Sequence, residues 1–179
     1  VRHHPPERRR RVTGEHVACV ADTGKWEVTG SASKVVLPTG VTLTLDSAFT
    51  GNLEIEGNAT LNINNTQFPE LQLISPASTI NFNTPTIIPK KTYGNVLLNG
   101  TGVKTFEADT TFITGDLTVA NGITLKGAPE NSTLLILGGN VVINGATGVT
   151  AADNRIDLQF TPDHAHTLST GGDLYLYRI

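Results

Sequence analysis

The stretch from Tyr93 to Gly127 gives nearly the same sequence twice. In YGNVLLNGTGVKTFEADTTFITGDLTVANGITLKG, the segment GNVLLNG is followed by the similar segment GDLTVANG. Each copy has a glycine, a small polar residue and then apolar side chains at alternate positions. The unit Gly-[Asn/Asp]-apolar-x-apolar recurs with its glycine at positions 51, 94, 115, 139 and 172, and a weaker copy begins at Glu70. A repeat of about 19 to 24 residues is typical of a solenoid, in which each coil stacks on the one before.

Other segments have the two-residue period of half-buried strands. In GNLEIEGNATLNIN, residues 51–64, the side chains of Leu53, Ile55, Leu61 and Ile63 are predicted to face the interior. The same alternation predicts strands at 41–45, 70–74, 79–83, 95–98, 116–119, 123–125, 134–137, 140–143, 155–160 and 173–177. No long segment has the spacing of an amphipathic helix, so the sequence predicts an all-β fold.

The repeat selects one architecture among the all-β folds. We predict a right-handed parallel β-solenoid, or β-helix, of about seven coils of roughly 19 to 24 residues. Stacked coils pair at about 4.8 Å per rung, so inward Val, Ile and Leu should form columns and outward Thr and Asn should form ladders. Glycines at the corners are expected to supply the positive φ angles that the turns require.

The charge distribution divides the chain into three segments. Residues 1–11, VRHHPPERRRR, hold five of the thirteen basic residues and are predicted to form a flexible basic tail, with the binding of anionic surfaces as an alternative. Residues 12–24 are predicted to form an N-terminal cap, as a short strand or a turn of helix, and residues 25–179 to form the solenoid domain. From Val12 onward the chain has eight basic and fifteen acidic residues, which argues against nucleic-acid binding. No apolar run approaches the roughly 20 residues of a membrane-spanning helix, so no membrane insertion is expected.

The repeat in residues 93–127 also carries a resemblance to known proteins. The run YGNVLLNGTGVKTFEADTTFITGDLTVANGITL resembles the Asn/Thr/Gly-rich repeats of large secreted and cell-surface proteins of Bacteroidetes, in which Tyr-Gly-Asn-Leu, Gly-Thr-Gly-x-Lys-Thr and Gly-Asp-Leu-Thr-Val recur along a β-solenoid. The similarity extends loosely over residues 40–160. It implies an adhesin-like stalk at the bacterial cell surface or outside the cell, exported by the type IX system.

Four aromatic residues are candidates for binding a glycan. Carbohydrate sites use exposed aromatic rings as stacking platforms, and the candidates are Trp26, Tyr93, Tyr175 and Tyr177. Tyr175 and Tyr177 would share one face of a last strand, and a role in capping that end is the alternative. An ice-binding surface would need Thr-x-Thr at the same place in every coil, and that spacing occurs only at 42–44 and 84–86.

The sequence contains one motif with the appearance of a metal site. In DHAH, Asp163, His164 and His166 could point the same way in extended chain, but zinc or copper needs further ligands and no second cluster accompanies them. We therefore predict no metal and no cofactor, and a polar loop at this position.

Two pairs of acids could serve a polysaccharide-active enzyme. Paired carboxylates can act as acid and base on a glycosidic bond, and Glu54 with Glu56, or Glu107 with Asp109, would share a face by alternation. The simpler interpretation is that these acids keep strand edges soluble.

The residues together favour a non-enzymatic structural or adhesive segment of an extracellular or cell-surface bacterial protein. The alternatives are a carbohydrate-binding module, a polysaccharide-active β-helix enzyme and an ice-binding protein. The expected partners are glycans, other surface proteins, or further copies joined end to end. Any site should lie where the repeat fails, at 107–111, at 161–170 or in the end strand.

Overall fold

The structure is a computed structural model that describes residues 10–12, 17–18, 26–28, 34–46, 51–67, 69–129, 132–147, 155–163, 165–171, 174–176 and 178–179. Within these ranges every regular element is a β-strand and there is no helix. For residues 10–12, 17–18, 26–28 and 34, the description covers the backbone alone. The predicted all-β fold is confirmed.

The strands are short, between two and five residues each, as expected for coils that turn several times. They are β1 Arg10–Val12, β2 Val17–Ala18, β3 Trp26–Val28, β4 Lys34–Leu37, β5 Thr42–Leu45, β6 Asn52–Ile55, β7 Thr60–Ile63, β8 Glu70–Ile74, β9 Thr79–Phe82, β10 Thr86–Ile88, β11 Thr92–Tyr93, β12 Asn95–Leu98, β13 Gly102–Phe106, β14 Asp109–Ile113, β15 Leu117–Val119, β16 Ile123–Lys126, β17 Thr133–Leu137, β18 Val141–Ile143, β19 Ala146–Thr147, β20 Ile156–Phe160 and β21 Leu168–Thr170.

All the sheets are parallel, and strands from successive coils lie side by side. The long sheet has seven strands in the order β21-β18-β15-β12-β9-β7-β5. Two further sheets, β2-β4-β6-β8 and β11-β14-β17-β20, supply strands that, apart from β2, come directly before those of the long sheet in sequence. A fourth sheet, β10-β13-β16-β19, forms the third side of the later coils, and β1 pairs with β3. This arrangement is the predicted parallel β-solenoid.

The number of coils requires a correction. About seven were predicted, whereas the described residues form about five turns. The coils differ in length: the shortest step in the long sheet, from Thr79 to Asn95, is 16 residues, and the later coils are longer. Residues one rung apart are separated by 18 positions between Asp46 and Asn64, by 24 between Asp116 and Asn140, and by 27 between Asn140 and Thr167.

The core is a set of apolar columns that run through the stacked coils. Leu53, Ile55, Leu61 and Ile63 are at most 1% exposed, as the alternation predicted. One column of the long sheet passes through Leu45, Ile63, Phe82, Leu98, Val119 and Ile143. Burying one such side chain contributes about 1.5 to 3 kcal/mol, so the columns are the main source of stability.

Three of the repeating glycines have a different role from the one predicted, whereas Gly51 has the expected positive φ, at 136°. Gly94, Gly115 and Gly139 are absent from the positive-φ residues, whereas turn glycines such as Gly122 have φ near 80°. A Cβ on Gly94 would lie 2.5 Å from the carbonyl oxygen of Ser78, one on Gly115 would collide with the side chain of Asn95, and one on Gly139 would collide with the backbone of Gly115. These three glycines are therefore required by the close stacking of neighbouring rungs.

The C-terminal end differs from the prediction. Residues 174–176 are not a strand, and the end of the long sheet is formed by β21. Arg178 forms an isolated parallel bridge with Asp157, and its carbonyl oxygen accepts the Leu158 N–H at 3.0 Å. Leu174 and Leu176 pack against the core. The final residues therefore lie over the edge of β20 instead of adding a further rung to the long sheet.

At the N-terminal end, β1 begins at Arg10 and β2 joins the solenoid by pairing with β4. The division into a tail at 1–11, a cap at 12–24 and a domain at 25–179 stays a prediction.

Candidate functional site

The polar residue of the repeat unit forms a ladder along the long sheet. The Oδ1 atom of Asn95 accepts the N–H of Asp116 at 2.9 Å, and the Oδ1 atom of Asp116 accepts the N–H of Asn140 at 2.7 Å. Asn140 in turn accepts the N–H and the hydroxyl of Thr167 at 3.0 and 2.9 Å. We call these four residues the Asx ladder. Asn95, Asp116 and Asn140 each fix the start of the strand on the next rung, which explains why the repeat needs Asn or Asp after its glycine.

A second set of ladders lies at the other end of the same sheet. Asn62 donates its side-chain amide to Thr44 at 3.2 Å, and Asn81 donates to the Oδ1 atom of Asn62 at 3.1 Å. The next position in this column is Leu97, which offers no donor. As a result, the Oδ1 atom of Asn81 is buried without a hydrogen-bond partner. A parallel ladder joins Asp46, Asn64 and Asn83.

The acids at 107 and 109 are brought together by a lysine. Lys90 donates its backbone N–H to Glu107 at 3.0 Å and its ammonium group to Asp109 at 3.0 Å. The hydrogen bond from Lys90 and its positive charge lower the pKa of the Asp109 carboxyl. A general acid needs a raised pKa, so this environment favours an ionised surface pair over acid catalysis. Asp109 also has a φ of 85°, which is uncommon for a residue other than glycine.

The second acidic pair lies on another side of the solenoid. Glu54 is in β6, where its register partners are Val36 on β4 and Leu73 on β8, and Glu56 is exposed directly after that strand.

The aromatic candidates do not form one platform in the described residues. Tyr93 is fully buried, donates its hydroxyl to the carbonyl oxygen of Pro89 at 2.7 Å and packs edge-on to Phe82. Burial, with a smaller contribution from the charge of Glu107, raises the pKa of Tyr93. Tyr175 is 41% exposed. Tyr177 and the side chain of Trp26 lie outside what the structure describes.

The DHAH motif holds a loop in place. The side chain of His166 is 8% exposed, with Nδ1 2.9 Å from the carbonyl oxygen of Gly139 and Nε2 2.7 Å from that of Thr161. Asp163 accepts the hydroxyl hydrogen bond of Thr161 at 2.6 Å, and His164 lies outside the described residues. Both His166 nitrogens face protein carbonyls, and no group of three or more His, Cys, Asp or Glu in the described part of the chain could hold a metal ion.

Next to this loop lies a cleft whose wall falls within 161–170, where a site was expected, but whose floor the sequence analysis missed. It has a volume of about 270 Å³, and we call it the Phe112 cleft. Phe112 and Ile136 are register partners on the outer face of β14 and β17 and form its floor. Thr114 and Gly138 lie at the ends of those strands, and Thr161 and Asp163 form the wall.

The signal for this cleft is present in the alternation of β14. Thr111 and Ile113 are buried, so Phe112 between them must face outward, and it is 44% exposed. A search limited to Tyr and Trp does not find it.

Comparisons of the chain with protein-family models, with curated proteins and with solved structures found no match. No helix long and apolar enough to cross a membrane occurs in the described ranges.

Proposed function

We propose that this chain is a structural or adhesive segment of an extracellular or cell-surface bacterial protein, and that its stacked coils act as a stiff spacer. The observation that carries the proposal is the Asx ladder, which adds side-chain hydrogen bonds to the backbone pairing between successive rungs. Asn95, Asp116 and Asn140 each accept a bond from the next rung. Both the backbone and the side chains therefore resist the separation of rungs.

The long sheet supplies the length that a spacer needs. Its seven strands at about 4.8 Å per rung give a stack of roughly 29 Å. The outer positions in its first rungs are neutral Thr and Asn side chains that bond to one another, such as Asn62 to Thr44. Neutral side chains that are already paired suit a surface that separates other parts of a protein.

The cell-surface assignment is supported by the resemblance of residues 93–127 to the repeats of Bacteroidetes surface proteins. An antibody raised against the folded domain tests this assignment in the organism that encodes the chain. We expect it to label intact cells as strongly as permeabilised cells, while an antibody to a cytoplasmic protein labels only permeabilised cells. Labelling that requires permeabilisation contradicts the proposal.

The spacer role itself has a separate test. Val96 on β12 and Leu117 on β15 are register partners on neighbouring rungs. In-frame removal of residues 96–116 should therefore leave a folded chain with one rung fewer. We expect circular dichroism of the deletion variant to keep its β signal and small-angle scattering to report a maximum dimension shorter by about 5 Å. Loss of the fold would show that the rungs are not interchangeable spacing units.

A further inference from the structure

The Phe112 cleft combines an exposed aromatic ring with an exposed carboxylate. We propose that this cleft binds a neutral sugar ring. Phe112 is 44% exposed and Ile136 on the next rung extends the floor. Asp163 stands at the rim with a side chain that is 67% exposed.

The wall of the cleft is fixed in place. The loop that carries Thr161 and Asp163 belongs to a long coil, in which Asn140 and Thr167 are 27 residues apart. His166 holds this loop through Gly139 on the neighbouring rung and Thr161 within the loop itself. Its ring also packs against Phe160, with the ring centroids 5.1 Å apart. The distance between floor and wall is therefore set before any ligand arrives, which lowers the cost of binding.

The chemistry of the cleft selects the ligand. A pyranose ring has an apolar C–H face that stacks on an aromatic ring, and hydroxyl groups around its edge that need acceptors. A carboxylate can accept several hydrogen bonds at once, and the side chain of Asp163, which accepts the Thr161 hydroxyl and lies 3.9 Å from Nε2 of His166, is 67% exposed. The negative charge of Asp163 disfavours uronic acids and other anionic sugars. A volume of about 270 Å³ is slightly below the roughly 300 to 1,000 Å³ of sites for drug-sized ligands, which suits one sugar ring.

Titration with simple methyl glycosides, followed by NMR of the backbone amides, tests this proposal. The neutral probes are methyl β-glucoside, methyl β-galactoside and methyl β-N-acetylglucosaminide, and the charged probes are methyl galacturonide and glucosamine. With at least one neutral probe, we expect shifts at the amides of Thr114, Gly138 and Thr161 and a Kd on the order of 1 mM, because one ring makes few contacts. Methyl galacturonide should bind at least tenfold more weakly.

Two variants and a matched control assign the binding to the cleft. Phe112→Ala should weaken binding at least tenfold, whereas Ile87→Ala, which removes a 62% exposed side chain from a different sheet, should leave it unchanged. Asp163→Asn should weaken binding of the neutral probe several-fold and reduce the discrimination against methyl galacturonide. Proton spectra of each variant establish that it is folded.

Three results would overturn the proposal: no shifts at these amides with any neutral probe up to about 50 mM, far above the expected Kd; binding only of a charged probe; or binding that Phe112→Ala leaves intact. None of these results bears on the spacer role, which depends on the ladders and not on the cleft.

Discussion

Replacing Asp116 with alanine removes one bond of the Asx ladder and leaves the apolar columns untouched, because Asp116 is exposed. Its Oδ1 atom accepts the Asn140 N–H at 2.7 Å, a short distance that is typical of a charge-assisted bond. Bonds to charged groups contribute about 1.5 to 3 kcal/mol and neutral ones about 0.5 to 1.5. Since water competes for the hydrogen bond at this exposed position, we expect Asp116→Ala to lower the free energy of opening this part of the sheet by about 1 to 1.5 kcal/mol.

The matched variant Asp116→Asn keeps the acceptor and has the same shape. Asn95 and Asn140 already fill the equivalent positions on the neighbouring rungs. We therefore expect Asp116→Asn to cost no more than about 0.5 kcal/mol, the charge-assisted part of the bond.

Hydrogen exchange of single amides is the assay, because repeat proteins can open locally. About 1.4 kcal/mol corresponds to a tenfold change in an opening equilibrium. In Asp116→Ala, the amide of Asn140 should exchange about tenfold faster, while the amide of Asn64, which donates to Leu45 at the other end of the long sheet, should be unaffected. Equal exchange at Asn140 in wild type and Asp116→Ala would refute the ladder, and so would an Asp116→Asn variant as unstable as Asp116→Ala.

Three further changes test the packing of the coils. Gly139→Ala should lower the free energy of unfolding in urea by about 1 to 3 kcal/mol, because the new Cβ collides with the backbone of Gly115. An unchanged urea midpoint would show that the rungs at Gly115 and Gly139 are far enough apart to hold a Cβ. Leu97→Asn supplies a donor to the unpartnered Oδ1 atom of Asn81. A double-mutant cycle with Asn81→Ala should therefore give a favourable coupling free energy of about 1 kcal/mol. The absence of coupling would show that the two side chains are not in contact. Burial lowers the pKa of Lys104 to about 8, below the roughly 10.4 of an unfolded lysine. The folded chain thus releases this proton first, and the unfolding free energy should rise between pH 8 and pH 10 by at most about 1.4 kcal/mol per pH unit. The variant Lys104→Met should lack that rise, and an equal rise in both proteins would contradict the assignment.

Much of the fold could be predicted from the sequence because its signals are local. Alternation in 51–64 identified the buried Leu53, Ile55, Leu61 and Ile63, since strand side chains point to opposite faces in turn. The recurring glycine and Asn or Asp identified the coil, because a solenoid repeats its sequence at every rung. That local match also placed Gly51 in the same set as Gly94, although Gly51 precedes a strand of the β2-β4-β6-β8 sheet and Gly94 precedes a strand of the long sheet.

Features that depend on contacts between distant residues could not be predicted in this way. In β13, Phe106 and Lys104 share a face and both are fully buried, whereas Val103 is 40% exposed. A pattern based on single residues would place Val103 inside and Lys104 outside, but burial of the larger Phe106 sets the register of the strand. The Phe112 cleft depends on a wall from the loop after β20, and no local pattern relates that loop to β14.

Distances between spin labels on the long sheet test the stacking of the coils most directly. Thr44, Thr118 and Ser169 occupy one column, and Thr118 is four rungs and Ser169 six rungs from Thr44. The single cysteine, Cys19, would be replaced by serine, and cysteines for labelling would be introduced at Thr44 with Thr118 and at Thr44 with Ser169. At about 4.8 Å per rung we predict narrow distributions centred near 19 Å and 29 Å. Two equal distances, or broad distributions that do not increase with rung number, would contradict the stacked solenoid.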